Sequence, residues 1–304
     1  MQRIVPARLV GAWLLGLALL AGCAPRGSVC GPSEAETEVR YGQGVLWRIE
    51  RPDAAPSYVF GTMHSKDPEI TRLAEPVAAR FDGAHSLAVE MVQTPRAVRA
   101  YRRAMEIPNG DLELLIGPER MKMVVEVGAR YGLSERRLRR LKPWALSVLF
   151  SVPPAEARAA RPTLDKVLEV QAEGRAMPVY GLESVEEQID VYDGLDLEHQ
   201  IALLDAALAE NWRIECWWEE AMKPAYLTGD LSTLYALGTP PVIDGDDFLW
   251  RTLIVDRNRR MVERIQDRFL EGDAFIAVGA AHLPGDLGVL NLLVEQGYRV
   301  DRIY

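Results

Sequence analysis

Two apolar runs, far apart in the chain, end in the same way. Tyr58-Val59-Phe60 leads into Gly61-Thr62-Met63-His64, and Phe275-Ile276-Ala277-Val278 leads into Gly279-Ala280-Ala281-His282. Each run is short and reads as a buried strand that stops at glycine and then presents a histidine. That puts both imidazoles at the carboxyl ends of strands, the edge of an open α/β sheet where ligands and catalytic groups collect. The chain has 4 histidines in 304 residues, so two in matched settings are its strongest pointer to a site.

The rest of the chain supports such a sheet. Further strand patterns fall at 45–49, 86–92, 177–183 and 299–304, with turn or breaker signals at Arg51-Pro52-Asp53 and Thr94-Pro95. Between them run helical periods, the longest over 195–209, 212–222 and 246–270, the last with a break inside it. Short strands alternating with helices predict an α/β fold: a central mixed sheet with flanking helices. The repeated Gly-x-x-His suggests two pseudo-symmetric halves. No strand pattern falls in about 95–162, which reads as a helical insertion in a domain spanning 41–304.

The amino terminus reads differently. Arg3 and Arg8 precede an apolar stretch over 9–20, the layout of a secretory signal over 1–22. The stretch is too short to read as a spanning helix. It closes on Leu20-Ala21-Gly22-Cys23, which resembles a bacterial lipobox. The resemblance implies cleavage before Cys23 and diacylglycerol on its sulfur. With Ala24 following, rather than Asp, it also implies the periplasmic face of the outer membrane. An ordinary secretory signal with an incidental cysteine is the alternative. Residues 23–40 are rich in Gly, Pro, Ser and Glu and read as a flexible tether. Cys30 and Cys216 can pair in an oxidising periplasm or stay as thiols. The net charge of −9 argues against a nucleic-acid partner.

Four polar residues fall at or just past strand ends: His64, Glu90, Glu183 and His282. Two imidazoles and a carboxylate suit a divalent metal, which would acidify a water and polarise a carbonyl, with the other carboxylate as general base. Either histidine can instead be a hydrogen-bonding or capping residue. Glu90 is harder to dismiss, because a charge inside Leu87-Ala88-Val89-Glu90-Met91-Val92 is costly unless paired. Glu183 can equally cap the helix that follows it. Arg136, Arg137, Arg139, Arg140 and Lys142 read as a solvated face or a contact for anionic headgroups. Trp212, Trp217 and Trp218 read as core or lid packing. The sequence contains no His-Glu-x-x-His, Cys-x-x-Cys, Gly-x-Ser-x-Gly, Walker-type or dinucleotide fingerprint.

These motifs, taken in order, resemble the TraB/GumN family, the bacterial relatives of the Tiki proteins. The segments that carry the likeness begin with Phe60-Gly61-Thr62-Met63-His64, Val89-Glu90 and Leu164-Asp165-Lys166-Val167-Leu168. They continue with Met177 to Ser184, Arg257-Asn258 and Val278 to Gly285. The resemblance implies an α/β fold with a cleft and, for the Tiki branch, a metal-dependent peptidase using manganese or cobalt, with zinc as a further candidate. Carried onto this sequence it nominates His64, Glu90 and His282 at the metal, and Arg257 and Asn258 for substrate binding or ligand orientation. Asp165 reads as structural.

Together these readings predict a lipid-anchored periplasmic metal-dependent hydrolase acting on a peptide or protein substrate. His64, Glu90 and His282 would hold the ion, with Glu90 or Glu183 as acid/base. One rival is a non-enzymatic lipoprotein that binds a peptide or small ligand in the same cleft. Another is a metal-free hydrolase with one histidine as general base.

Overall fold

The computed structural model describes residues 39–108, 110–238 and 247–304. Its centre is a six-stranded mixed sheet with strand order β4-β3-β5-β2-β1-β6. The strands are β1 (Leu46–Glu50), β2 (Ser57–Thr62), β3 (Ser86–Val89), β4 (Val179–Gly181), β5 (Ala274–Gly279) and β6 (Arg299–Arg302). β4, β3, β5 and β2 run parallel, whereas β1 pairs antiparallel with both β2 and β6.

β2, β3 and β5 read as unbroken apolar runs because both of their faces are covered. All four residues of β3 are buried, as are Ala274 to Val278 of β5. Helix Asp256–Glu271 packs on β3 and β5, and helix Leu164–Gly174 on β3 and β4. Phe275 lies at the centre of this core, with ring centroids 5.8 Å from Phe60 and 5.2 Å from Phe81.

The two Gly-x-x-His strands are immediate neighbours. β2 and β5 pair in parallel with Gly61 opposite Val278 and Thr62 opposite Gly279. The likeness between the segments is thus a local equivalence of two adjacent strands. Neither glycine is required by backbone conformation; each is required by close approach. A Cβ on Gly61 would lie 2.9 Å from Leu283, and one on Gly279 would lie 3.0 Å from Glu90 Oε1.

Between β3 and β4 the described chain is helical up to the end of Leu164–Gly174. The helices from Leu112 to Phe150 share a second core containing Leu112, Val124, Leu138, Leu146 and Phe150. Helix Leu197–Glu210 belongs to the same body, contributing Leu204 and Ala207. Leu197–Glu210 follows β4, so this helical layer is drawn from two separated segments.

Other sequence readings shift in detail. In helix Leu164–Gly174 Val170 is 52% exposed, while Asp165 and Glu169 take buried positions to meet polar partners. Trp218 joins the main core, whereas Trp212 is 69% exposed beneath the Arg213 guanidinium. The expected break in the long late helix is a π-helical segment, Arg251–Val255. The signal over 1–22, Cys23, Cys30 and nearly all of the tether lie outside the described residues. Cys216 is disulfide-bonded. No helix among the described residues is long and apolar enough to cross a membrane.

Replacing Phe275 by alanine should cost about 3–5 kcal/mol of stability, since its cavity would be walled by strands that cannot close in. Urea denaturation checks this, and a loss below about 1 kcal/mol would contradict a rigid core at that position.

Candidate active site

Four parallel strands deliver the four polar residues to one edge. His64 follows β2, Glu90 follows β3, Glu183 follows β4 and His282 follows β5. The pairing of β3 with β4 continues past the strands, through Leu182 N to Val89 O at 2.8 Å and Glu183 N to Glu90 O at 2.7 Å. This fixes the spacing of the two carboxylates from the backbone outward. Glu183 does not cap the following helix; Ser184 does so, in a capping box with Glu187.

The two histidines are anchored by different partners. His64 Nδ1 lies 2.6 Å from Asp165 Oδ2, and the other carboxylate oxygen of Asp165 accepts from Thr62 Oγ1 at 2.7 Å. His282 Nδ1 lies 2.6 Å from Asn258 Oδ1, while Asn258 Nδ2 donates to the Leu287 carbonyl at 2.8 Å. That second bond sets the orientation of the amide, so an oxygen faces the ring and Nδ1 of His282 carries the proton. In both residues Nδ1 is the anchored atom, so Nε2 carries the lone pair whenever the ring is neutral.

Arg257 is the hub of the site. Its guanidinium donates to Glu90 Oε2 at 2.6 Å, to Glu183 Oε2 at 2.7 Å and to His282 Nε2 at 3.2 Å. Glu90 Oε1 accepts from the Gly279 backbone N–H at 2.6 Å, and Glu183 also pairs with Arg260 at 3.1 Å. Sequence reasoning missed Arg260 and gave Asp165 only a structural part. The usable signal for Asp165 was its place in the first turn of helix Leu164–Gly174, whose N-terminal turn faces the sheet edge.

Burial works against the charge on Glu90, but the Arg257 guanidinium and the two imidazoles overcome it and hold the carboxyl far below its ordinary range. Burial, reinforced by Arg257, lowers His282 to about 3, so its ring is neutral at pH 7. The Asp165 carboxylate does the opposite to His64, raising it to about 9, although the side chain is 63% exposed and solvent screens part of that pull.

The edge opens into a cavity of about 360 Å³. His64, Glu90, Asp165 and Arg257 form one wall; Val148 of the helical layer forms another, with Tyr101 of helix Pro95–Ala104 and Tyr192 of helix Val185–Asp193. The loop bearing His64 is held by that layer. Glu156 accepts from Ser65 Oγ at 3.0 Å and from the Lys66 N–H at 2.8 Å.

The donor chemistry of His64, Glu90 and His282 fits a divalent cation: two imidazoles with anchored Nδ1 atoms and one buried carboxylate. His282 Nε2 lies 3.9 Å from Glu90 Oε1, a separation that two ligands each about 2.1 Å from one cation can have. Among the described residues no three His, Cys, Asp or Glu side chains converge at ligand distance. Arg257 touches the same Nε2 and the same carboxylate that a cation would use.

The fold and this edge define a class, α/β proteins that gather two Gly-x-x-His histidines and a buried glutamate at the ends of parallel strands. The chain belongs to the TraB/PrgY/gumN family, which it matches over residues 45–302. It is 25% identical over 311 residues to metalloprotease TIKI2 of Danio rerio, an alignment covering 84% of this chain and 60% of that protein. It is 24% identical to metalloprotease TIKI1 of Danio rerio, covering 84% and 62%. To metalloprotease TIKI1 of Homo sapiens it is 23% identical, covering 93% and 67%. The chain thus spans about 60% of the length of the zebrafish relatives.

The opposed shifts of the two histidines predict opposed pH effects in metal-free protein. His282 has its folded pKa below the reference 6.5, so its contribution is present above that value and lost as pH falls toward 3. His64 has its folded pKa raised, so its contribution is present below 6.5 and lost as pH rises through about 9. Between about pH 7 and pH 5 the urea midpoint should therefore fall more steeply in His64→Gln than in His282→Gln. Equal slopes in the two variants would contradict these protonation states.

Proposed function

We propose that this chain is a metal-dependent peptidase whose site is the His64–Glu90–His282 edge. One observation carries the reading. Both imidazoles are anchored through Nδ1, to Asp165 and to Asn258, so Nε2 is the coordinating nitrogen of each neutral ring, and His64 lines a cavity together with the buried carboxylate of Glu90. The Danio rerio and Homo sapiens relatives, each named a metalloprotease, support the same reading.

In this reading His64, His282 and Glu90 hold the ion, which is manganese, cobalt or zinc. A divalent cation in such a donor set supplies Lewis acidity and brings the pKa of a bound water toward neutrality. Asp165 and Asn258 fix the orientation and tautomer of the two rings. Arg257 holds Glu90 in its charged form. Glu183 has both oxygens engaged by Arg257 and Arg260, which suits a positioning role better than the acid/base role. The cavity admits a substrate segment and limits water around it.

A second reading has its own support. Arg257 already bonds Glu90 and His282, so the polar edge is satisfied by protein groups alone, as a non-enzymatic peptide-binding protein would require. Metal content separates the two. The purified protein, supplied with each cation and desalted, should retain about one equivalent per chain, and His64→Ala and His282→Ala should each lose it together with peptide cleavage. Chelation should abolish activity and the restored cation should recover it. Failure to retain any of the three ions would reject the metal-dependent reading.

We also propose that Cys23 is acylated and anchors the chain at the periplasmic face of the outer membrane, on the strength of Leu20-Ala21-Gly22-Cys23. Intact-mass analysis of membrane-extracted protein should show a chain beginning at Cys23 with lipid attached. An unmodified Cys23 would reject the anchor.

A further inference from the structure

The Tyr101 and Tyr192 hydroxyls and the Gln93 side-chain amide, like the Thr163 hydroxyl, line the cavity without a hydrogen-bond partner among the described residues. Their positions are nonetheless fixed. Both tyrosine rings pack on Trp144, Tyr101 edge-on at 5.7 Å and Tyr192 stacked at 5.5 Å. Trp144 is fully buried, and its Nε1 donates to Asp193 at 3.0 Å. Asp193 is itself held by Lys142. Gln93 is held through its backbone, with its N–H shared between the Glu169 oxygens at 3.1 and 3.2 Å.

The charges in the cavity wall are all paired: His64 with Asp165 and Glu90 with Arg257. Val89, Met91, Val148 and Val191 supply its apolar surface. A charged ligand group would enter without an available counter-ion, at the cost of its hydration. An aliphatic group would bury apolar area at no such cost. Two hydroxyls and a primary amide can both donate and accept, which matches the alternating C=O and N–H groups of a peptide. At about 360 Å³ the space suits one side chain with its flanking peptide units rather than a large ligand.

We infer that this cavity is a side-chain subsite selecting an uncharged, aliphatic or thioether residue of a peptide, with Tyr101, Tyr192 and Gln93 holding the backbone on either side. The inference rests on the peptidase reading for the peptide nature of the ligand, and it adds the specificity of that site.

The test uses the full chain, stripped of metal so that peptides are bound but not cut. Capped seven-residue peptides of Ala and Ser, differing only in a central Ala, Leu, Met, Lys or Glu, are titrated by calorimetry. Leu and Met peptides should bind at least about tenfold tighter than Lys or Glu peptides. Val148→Trp should abolish the advantage of Leu over Ala by filling the space. Tyr192→Phe, a change that leaves the ring packing in place, should weaken all five peptides by a common factor of about five to ten. Equal binding across the series, no binding, or a preference for Lys or Glu overturns the subsite. The same peptides are then incubated with protein reloaded with manganese or cobalt. Selective binding without cleavage would uphold the subsite and count against the peptidase. Cleavage indifferent to the central residue would overturn the subsite and uphold the peptidase.

Discussion

The buried triad of Glu90, Arg257 and Glu183 is the constraint around which this sheet edge is organised. The three side chains are 7%, 11% and 0% exposed, so their charges have been taken almost wholly out of water. Such a set is tolerable only if every lone pair and proton finds a partner, because an unpaired buried charge costs about 3–5 kcal/mol. Here the partners come from different elements. Gly279 N–H on β5 completes Glu90, Arg260 completes Glu183, and Leu253 O and His282 Nε2 take the remaining reach of Arg257. Three strand ends and one helix are therefore tied by a single electrostatic knot. The glycine of the second Gly-x-x-His motif follows from it, since a Cβ there would press on Glu90 Oε1.

Helix Asp256–Glu271 supplies this knot because of how it begins. The π-helical segment Arg251–Val255 interrupts the regular ladder just before it, a device often found where a helix must present side chains at an unusual angle. Successive helical residues diverge by about 100°. From one turn, Arg257 thus reaches the carboxylates of β3 and β4, while Asn258 reaches His282 and the Leu287 carbonyl. One residue acts on the charge of the site and its neighbour on a tautomer.

Residues whose position follows from local pattern were legible in the sequence. β2 and β5 show as apolar runs, their terminal glycines mark where they stop, and Glu90 shows as a charge inside a third run. Arg257 was not legible from pattern alone. It shares its helix with Arg259, Arg260, Arg264 and Arg268, and four arginines beside it make the segment read as a solvated face. Only family resemblance singled out Arg257 and Asn258. Tyr101 and Tyr192 were invisible for another reason. Their role depends on the helical layer folding back over the sheet edge, a long-range arrangement that no window of sequence contains. Asp165 falls between these cases, since its helix was legible but its partner, His64, lies across the fold.

The matched motifs conceal an asymmetry that sets the chemistry of the edge. His64 is largely exposed and donates from Nδ1 to a carboxylate, which increases the basicity of its Nε2. His282 is buried and donates to a neutral amide, while the adjacent guanidinium draws on its Nε2 lone pair. Two imidazoles at equivalent positions on adjacent parallel strands thus differ in donor strength. At neutral pH Asp165 holds the exposed ring of His64 in its charged form, so its Nε2 lone pair becomes available only once that proton leaves. The buried ring of His282 is neutral, and Arg257 engages its Nε2 lone pair. How firmly Glu183 and Arg260 hold the guanidinium therefore bears on His282 as well as on Glu90, and it is Glu183 that couples the end of β4 to that balance.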